Sequence, residues 1–292
     1  MTLQGIGVLG GGLMGSGIAE VAIRAGYDVR LLELDDRAVE AGKERILRSL
    51  ERAVEGEKLS SIQRDEALQR LSYTIEISDL IDRDLIVEAV VEDLEVKRDL
   101  FRKLDARCPE RTILASNTSS LAITDLAAAV RRSDRVVGLH FFNPVPVMRL
   151  VEVVRTMVTS EATLRTAQEF ATSLGKEPIL APDSSGFLVN RLLVPFLLDT
   201  IRLLEAGVAG VEDLDKSMVL GCGHPMGPLA LCDFIGNDTL LRIAEIMFNE
   251  YREDRYAPPP CLRRLVAIGR LGRKSGEGFY DYSGEKPVVL GV

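Results

Sequence analysis

An α/β fold with a mostly parallel sheet, followed by a smaller all-α C-terminal domain, is what this 292-residue sequence predicts. Three observations lead there. Short apolar runs alternate with helix-length amphipathic stretches from residue 5 to about 180. A glycine-rich turn follows the first of these runs directly. After Ala181-Pro182-Asp183-Ser184 the strand signals stop, and the chain reads as helix from Gly186 to about Gly269. The domain boundary is therefore set at 1–184 and 185–292.

Taken in order, the strands are predicted over residues 6–9, 29–32, 73–77, 85–90, 112–115, 136–140, 150–154 and 178–180. Between the second and third lies a charged stretch, 36–70, with Val39, Ile46, Leu50, Val54, Leu59, Ile62 and Leu68 at helical intervals. It predicts an inserted helical hairpin projecting from the sheet. Residues 187–204 form the most apolar segment, but Asn190, Arg191, Pro195, Asp199 and Arg202 would be costly in a bilayer, so the segment is expected to be a buried helix with no membrane contact. The tail from Leu271, rich in Gly and Pro, is expected to cover the helical domain as an irregular segment.

Composition narrows the function classes. Charged residues are 27% and apolar residues 46% of the chain, ordinary values for a globular protein. A formal charge of −8 without any basic run argues against nucleic acid as a partner, because phosphate backbones are held by clustered Lys and Arg. Cys108, Cys222, Cys232 and Cys261 form no CxxC pair and only two histidines could join them, so no metal site is expected. Reduced thiols and the absence of a basic n-region before the first apolar run predict a cytoplasmic protein.

Gly10, Gly12 and Gly15 form a G-x-G-x-x-G run between the first strand and a helical stretch. In that context the first glycine permits a tight turn, the second lets backbone approach a pyrophosphate, and the third lets helix and strand pack closely. The helix N-terminus then attracts the phosphates. Glu33 ends the next strand, near the ~20-residue spacing at which an acid binds the adenosine ribose hydroxyls. A Rossmann-type domain is the consequence. A carboxylate there repels a 2′-phosphate, so the predicted cofactor is NAD rather than NADP.

Hydride transfer from an alcohol carbon needs a group that takes the hydroxyl proton, and His140 ends an apolar strand, where α/β sheets bind their ligands. Glu152 lies in the following strand and could orient the imidazole. On spacing alone, the two residues could equally serve separate structural roles. The surrounding sequence adds to this. Gly138-Leu139-His140-Phe141-Phe142-Asn143-Pro144 with Leu150-Val151-Glu152-Val153 resembles the L-3-hydroxyacyl-CoA dehydrogenases, including bacterial enzymes of 3-hydroxybutyryl-CoA. The resemblance continues through Val87-Glu88-Ala89-Val90-Val91-Glu92, Ala115-Ser116-Asn117-Thr118-Ser119-Ser120-Leu121, Gly186-Phe187-Leu188-Val189-Asn190-Arg191, His224-Pro225-Met226-Gly227-Pro228 and Gly276-Glu277-Gly278-Phe279-Tyr280.

This resemblance implies His140 as catalytic base and Glu152 as its partner carboxylate. It implies Ser119, Asn190 and Asn143 at the substrate, and Glu92, Lys97 and Asn117 along the nicotinamide half of the cofactor site. Taken alone, Ser119 and Asn117 read as helix caps or turn residues. His224 sits in a Gly- and Pro-rich loop and is left out of the site. An acyl-CoA substrate and a homodimer held by the helical domain complete the expectation. Two other readings stay open on the residues alone: a related dehydrogenase of free hydroxy acids, sugar acids or carnitine, and a non-catalytic NAD-binding protein like the family's crystallin relatives.

Overall fold

Strands shielded on both faces are apolar almost without alternation, and the runs GIGVL, LIVE, ILAS and VVGLHF are buried at every position in the computed structural model, which describes residues 3–291. The eight strands are β1 (Gly5–Leu9), β2 (Asp28–Leu32), β3 (Leu71–Thr74), β4 (Leu85–Glu88), β5 (Ile113–Ser116), β6 (Val136–Phe141), β7 (Leu150–Arg155) and β8 (Glu177–Pro182). Their order in the sheet is β3-β2-β1-β4-β5-β6-β7-β8. Every neighbouring pair is parallel except β6 and β7, which run antiparallel. The edge strand β8 carries Pro178 and Pro182, which remove donors from its N–H row and discourage further pairing.

Two strands end earlier than the sequence suggested. The third begins at Leu71 and stops at Thr74, because β2 ends at Leu32 and the Glu33 N–H on the Thr74 carbonyl leaves nothing for Ile75 to pair with. The fourth stops at Glu88, whose carboxylate accepts the Val90 N–H at 2.7 Å and turns the chain out of the sheet.

Helices α1 (Leu13–Arg24), α2 (Asp36–Glu55), α3 (Ser61–Leu68), α4 (Leu94–Asp105), α5 (Ile123–Ala127) and α6 (Glu161–Ser173) belong to the same unit, which ends at Ser184. The hairpin of α2 and α3 is started by local chemistry. Asp35 caps α2 by accepting the Ala38 N–H, and Ser60 with Gln63 forms a capping box on α3. Its narrow apolar stripe of Ile46, Leu50 and Ala67 joins Ile18, Ala19 and Ala22 of α1 in one core cluster, so the hairpin lies along α1.

From Ser185 the chain forms a second unit with its own core. Its helices are α7 (Val189–Glu205), α8 (Val211–Cys222), α9 (Pro228–Ile235), α10 (Asn237–Tyr251) and α11 (Pro260–Ala267). No helix among the described residues is long and apolar enough to cross a membrane. The Gly-rich tail is more ordered than the sequence suggested. It forms a two-stranded antiparallel ribbon, β9 (Tyr280–Asp281) with β10 (Val288–Val289), and buries Phe279 in the core. Asp233 fixes it by accepting the N–H groups of Phe279 and Tyr280, both at 3.0 Å.

Candidate active site

The three glycines of the turn after β1 sit in three different surroundings. Gly10 has φ +89°, a left-handed conformation that costs other residues dearly. A Cβ on Gly15 would sit 1.8 Å from the Gly10 carbonyl oxygen, so only glycine lets α1 pass this close to the turn. A Cβ on Gly12 would meet nothing within 4 Å. Gly12 is the N-cap of α1 and has no side chain to cap the N–H groups of the first turn. A bare helix N-terminus of this kind fits a pyrophosphate.

Glu33 follows the end of β2 and is placed against this turn, its Oε1 accepting the Gly11 N–H. A partner that the sequence did not suggest comes from the hairpin. Arg45 donates to the Gly11 carbonyl at 2.9 Å, alongside the Ser16 hydroxyl at 2.6 Å, so α2 and α1 both hold the turn.

At the C-terminal ends of β5 and β6 the second cluster assembles. Antiparallel pairing puts His140 directly opposite Glu152, and residues paired across an antiparallel ladder share a face of the sheet. His140 Nδ1 lies 2.6 Å from Glu152 Oε2, with the two residues 4% and 1% exposed. Because a carboxylate oxygen can only accept, Nδ1 is the donor in this contact, and Nε2 is the nitrogen of the neutral imidazole that accepts. The Ser119 hydroxyl stands 3.0 Å from that Nε2, and the Phe142 ring packs against the imidazole with centroids 4.5 Å apart.

Ser119 is held by its turn. Glu92 Oε1 accepts the Ser119 N–H at 3.2 Å and the Ser120 hydroxyl at 2.9 Å, and also the Thr118 hydroxyl. Burial opposes ionisation of Glu92, but Lys97 beside it and the Thr118 and Ser120 hydroxyls outweigh that and hold its carboxyl below the usual carboxylate range. Lys97 is 1% exposed, with its ammonium between Glu88 at 2.6 Å and Glu92 at 3.2 Å. Asn117 is also buried, and its Oδ1 accepts the Phe141 N–H at 2.9 Å, tying the end of β5 to the end of β6.

The other residues singled out in the sequence are placed as follows. Asn143 is exposed in the loop after β6. Asn190 is the second residue of α7, half-buried, in the other unit. His224 follows the left-handed Gly223 that ends α8 and packs its ring against Phe196, a local structural contact.

Comparison with known proteins decides the family. The 3-hydroxyacyl-CoA dehydrogenase NAD binding domain matches residues 5–184, and the 3-hydroxyacyl-CoA dehydrogenase C-terminal domain matches 186–282. The chain belongs to the 3-hydroxyacyl-CoA dehydrogenase family. It is similar to a 3-hydroxybutyryl-CoA dehydrogenase of Mycobacterium tuberculosis, 54% identical over 96% of this chain and 99% of the relative. Human mitochondrial hydroxyacyl-coenzyme A dehydrogenase is 45% identical over 94% of this chain and 90% of its own. Among solved structures, the (S)-3-hydroxybutyryl-CoA dehydrogenase of Ralstonia eutropha superposes with a TM-score of 0.93 at 41% identity, covering 97% of this chain and all of that one. The chain is thus an NAD-dependent 3-hydroxyacyl-CoA dehydrogenase, and its first unit is the family's NAD binding domain.

Sequence reasoning passed over Glu88, Ser116, Thr118 and Ser120, all buried polar members of the network behind Ser119. The signal was present in the strand LIVE, an apolar run that ends on an acid nine residues before a lysine.

Proposed function

We propose that the chain oxidises L-3-hydroxybutyryl-CoA and similar short 3-hydroxyacyl-CoA esters, and reduces the corresponding 3-oxo esters, with His140 as general base and acid. The observation that carries this reading is the line Ser119 Oγ, His140 Nε2, His140 Nδ1, Glu152 Oε2, with contacts of 3.0 and 2.6 Å, at the C-terminal end of β6. His140 takes the proton of the substrate's 3-hydroxyl at Nε2, and Glu152 stabilises the imidazolium that results. In reduction, the imidazolium returns the proton. Ser119, which already reaches Nε2, holds the substrate oxygen beside it. The family resemblance extends substrate contact to Asn190 and Asn143, and the nicotinamide contacts to Glu92, Lys97 and Asn117.

The glycine turn and Glu33 would hold NAD, which supplies the hydride acceptor when bound. The N-terminus of α1 would receive the pyrophosphate and Glu33 would bind the adenosine ribose. Relatives named for 3-hydroxybutyryl-CoA support the short-chain preference. A homodimer through the helical unit is supported by Leu192, Val208 and Leu220, which are 78%, 65% and 81% exposed. Large apolar side chains left this exposed are what an association face would cover. Sedimentation as a monomer at micromolar concentration would overturn the dimer.

The catalytic reading is tested with His140→Gln. General acid–base catalysis is worth about 10²- to 10⁴-fold, so turnover of acetoacetyl-CoA should fall by that factor while NADH binding persists. Near-wild-type turnover in the variant removes His140 as the base.

A further inference from the structure

We infer that Glu88 is a positioning residue for proton transfer at His140, acting through Lys97, Glu92 and the Ser119 turn. The inference rests on the reading of His140 as base. Glu88 closes a four-residue strand of otherwise apolar side chains and is 1% exposed, a location in which an ionised carboxylate needs full compensation. Its two oxygens are both engaged. Oε1 accepts the Val90 N–H at 2.7 Å and the Lys97 ammonium at 2.6 Å, and Oε2 accepts the Ser116 hydroxyl at 2.6 Å.

From there the contacts run in one direction. Lys97 reaches Glu92 Oε2 at 3.2 Å, the other oxygen of Glu92 gathers Thr118, Ser119 and Ser120, and Ser119 meets His140. Ser116 completes a second path by accepting the Thr118 N–H at 3.2 Å. The turn that aims Ser119 is therefore fixed at both ends by groups that Glu88 fixes.

Stability alone is a weak reason for this arrangement. A buried ion cluster is often no more stabilising than well-packed apolar residues of the same volume, because desolvation offsets the Coulomb gain. What the three charges supply is direction. Lys97 can satisfy both carboxylates in only one place, and that place sets the height of Glu92 beneath the Ser119 N–H. Without the charge on Glu88, Lys97 is drawn toward Glu92 alone and the turn relaxes. A displacement of 1 Å at a reacting group can cost about 100-fold in rate, so a relaxed turn should cost about 10-fold.

The test is steady-state reduction of acetoacetyl-CoA by the full-length protein, beside NADH fluorescence titration. Glu88→Gln keeps the shape while removing the charge, its amide oxygen accepting from Val90 and Lys97 and its NH2 donating to the Ser116 hydroxyl oxygen. It should lower kcat about 10-fold with KM and the NADH Kd changed less than about 3-fold, a split that general loosening would not give. In the cycle with Lys97→Met, the double variant should lose no more kcat than Lys97→Met alone, since both act on one path. Unchanged kcat in Glu88→Gln, losses that multiply in the double variant, or a loss carried by NADH affinity would each overturn the inference. Should Glu88→Gln fail to fold, Ser116→Ala decides. A kcat lower by about 3-fold or more with NADH binding intact supports the inference, and an unchanged kcat overturns it. His140→Gln run in parallel separates the two readings: normal turnover there removes the base itself, whereas a large loss there with normal kcat in Glu88→Gln removes the role of Glu88 only.

Discussion

Replacing Glu152 by glutamine isolates what its charge does. The amide keeps an oxygen that can accept the His140 Nδ1–H, so orientation survives and only the interaction with the imidazolium is lost. With 2.6 Å between Nδ1 and Oε2, the centres of the two charges lie roughly 4 Å apart. At an effective dielectric constant of about 20, that pair is worth about 4 kcal/mol. Converted at about 1.4 kcal/mol per decade, it is about 10³ in rate for any step that creates the imidazolium. Local relaxation recovers part of this, so Glu152→Gln should lose about 10²- to 10³-fold in kcat for oxidation. NADH absorbance with L-3-hydroxybutyryl-CoA measures the rate, and NADH titration checks that the cofactor site is intact. A variant that binds NADH normally and turns over within about 3-fold of wild type would refute the charge argument and leave Glu152 as a tether for the ring.

Other variants read other parts of the structure. Glu33→Gln should narrow the preference for NAD over NADP and also weaken NADH binding, since Glu33 holds the Gly11 N–H; the ratio of kcat/KM values and a titration measure both. Gly15→Ala should abolish NADH binding, because its Cβ would lie 1.8 Å from the Gly10 oxygen, and an affinity within a few-fold of wild type would refute the close approach. The depressed folded-state value of Glu92 means that its contribution to stability is fully present above the unfolded carboxylate value of about 4.3 and is lost as pH falls through the lower folded value. Melting curves should therefore show a Glu92→Gln deficit that is constant from about pH 6 to 8 and closes in acid. Asp233→Asn cannot accept from both the Phe279 and Tyr280 N–H groups through two oxygens, so it should destabilise the protein by about 1–3 kcal/mol, seen as a lower denaturation midpoint.

Much of the sheet was legible because its strands are buried on both faces and announce themselves as apolar runs. The glycine turn was legible because Gly10 and Gly15 fall where backbone geometry excludes a side chain, with Gly12 between them at the open start of α1. Strand ends were not legible, because they depend on where a neighbour stops. Ile75 belongs to a fair β run but has no partner once β2 has ended. The network behind Ser119 was hidden for a related reason. Glu88 and Ser116 are 28 residues apart in sequence and meet only because β4 and β5 are paired in register. The resemblance drew attention to Lys97, but the two carboxylates on either side of its ammonium are connected by no spacing rule.

The one reversal in the sheet explains why His140 and Glu152 can meet at all. In a parallel sheet, all strands finish at the edge where ligands bind, and the third residue of a six-residue strand lies nearer the opposite edge. Had β7 been parallel to β6, Glu152 would have fallen short of His140, the fifth residue of its strand. Running antiparallel, β7 starts at the ligand-binding edge, and its third residue comes level with the fifth of β6, as the pairing of His140 with Glu152 records. The loop between them, residues 142–149, is too short for the helical crossover of a dozen or more residues that a parallel connection needs. The register itself is held by the buried run of β7 and by its pairing with β8, and a slip of one residue would turn Glu152 to the other face of the sheet and leave the imidazole without its carboxylate.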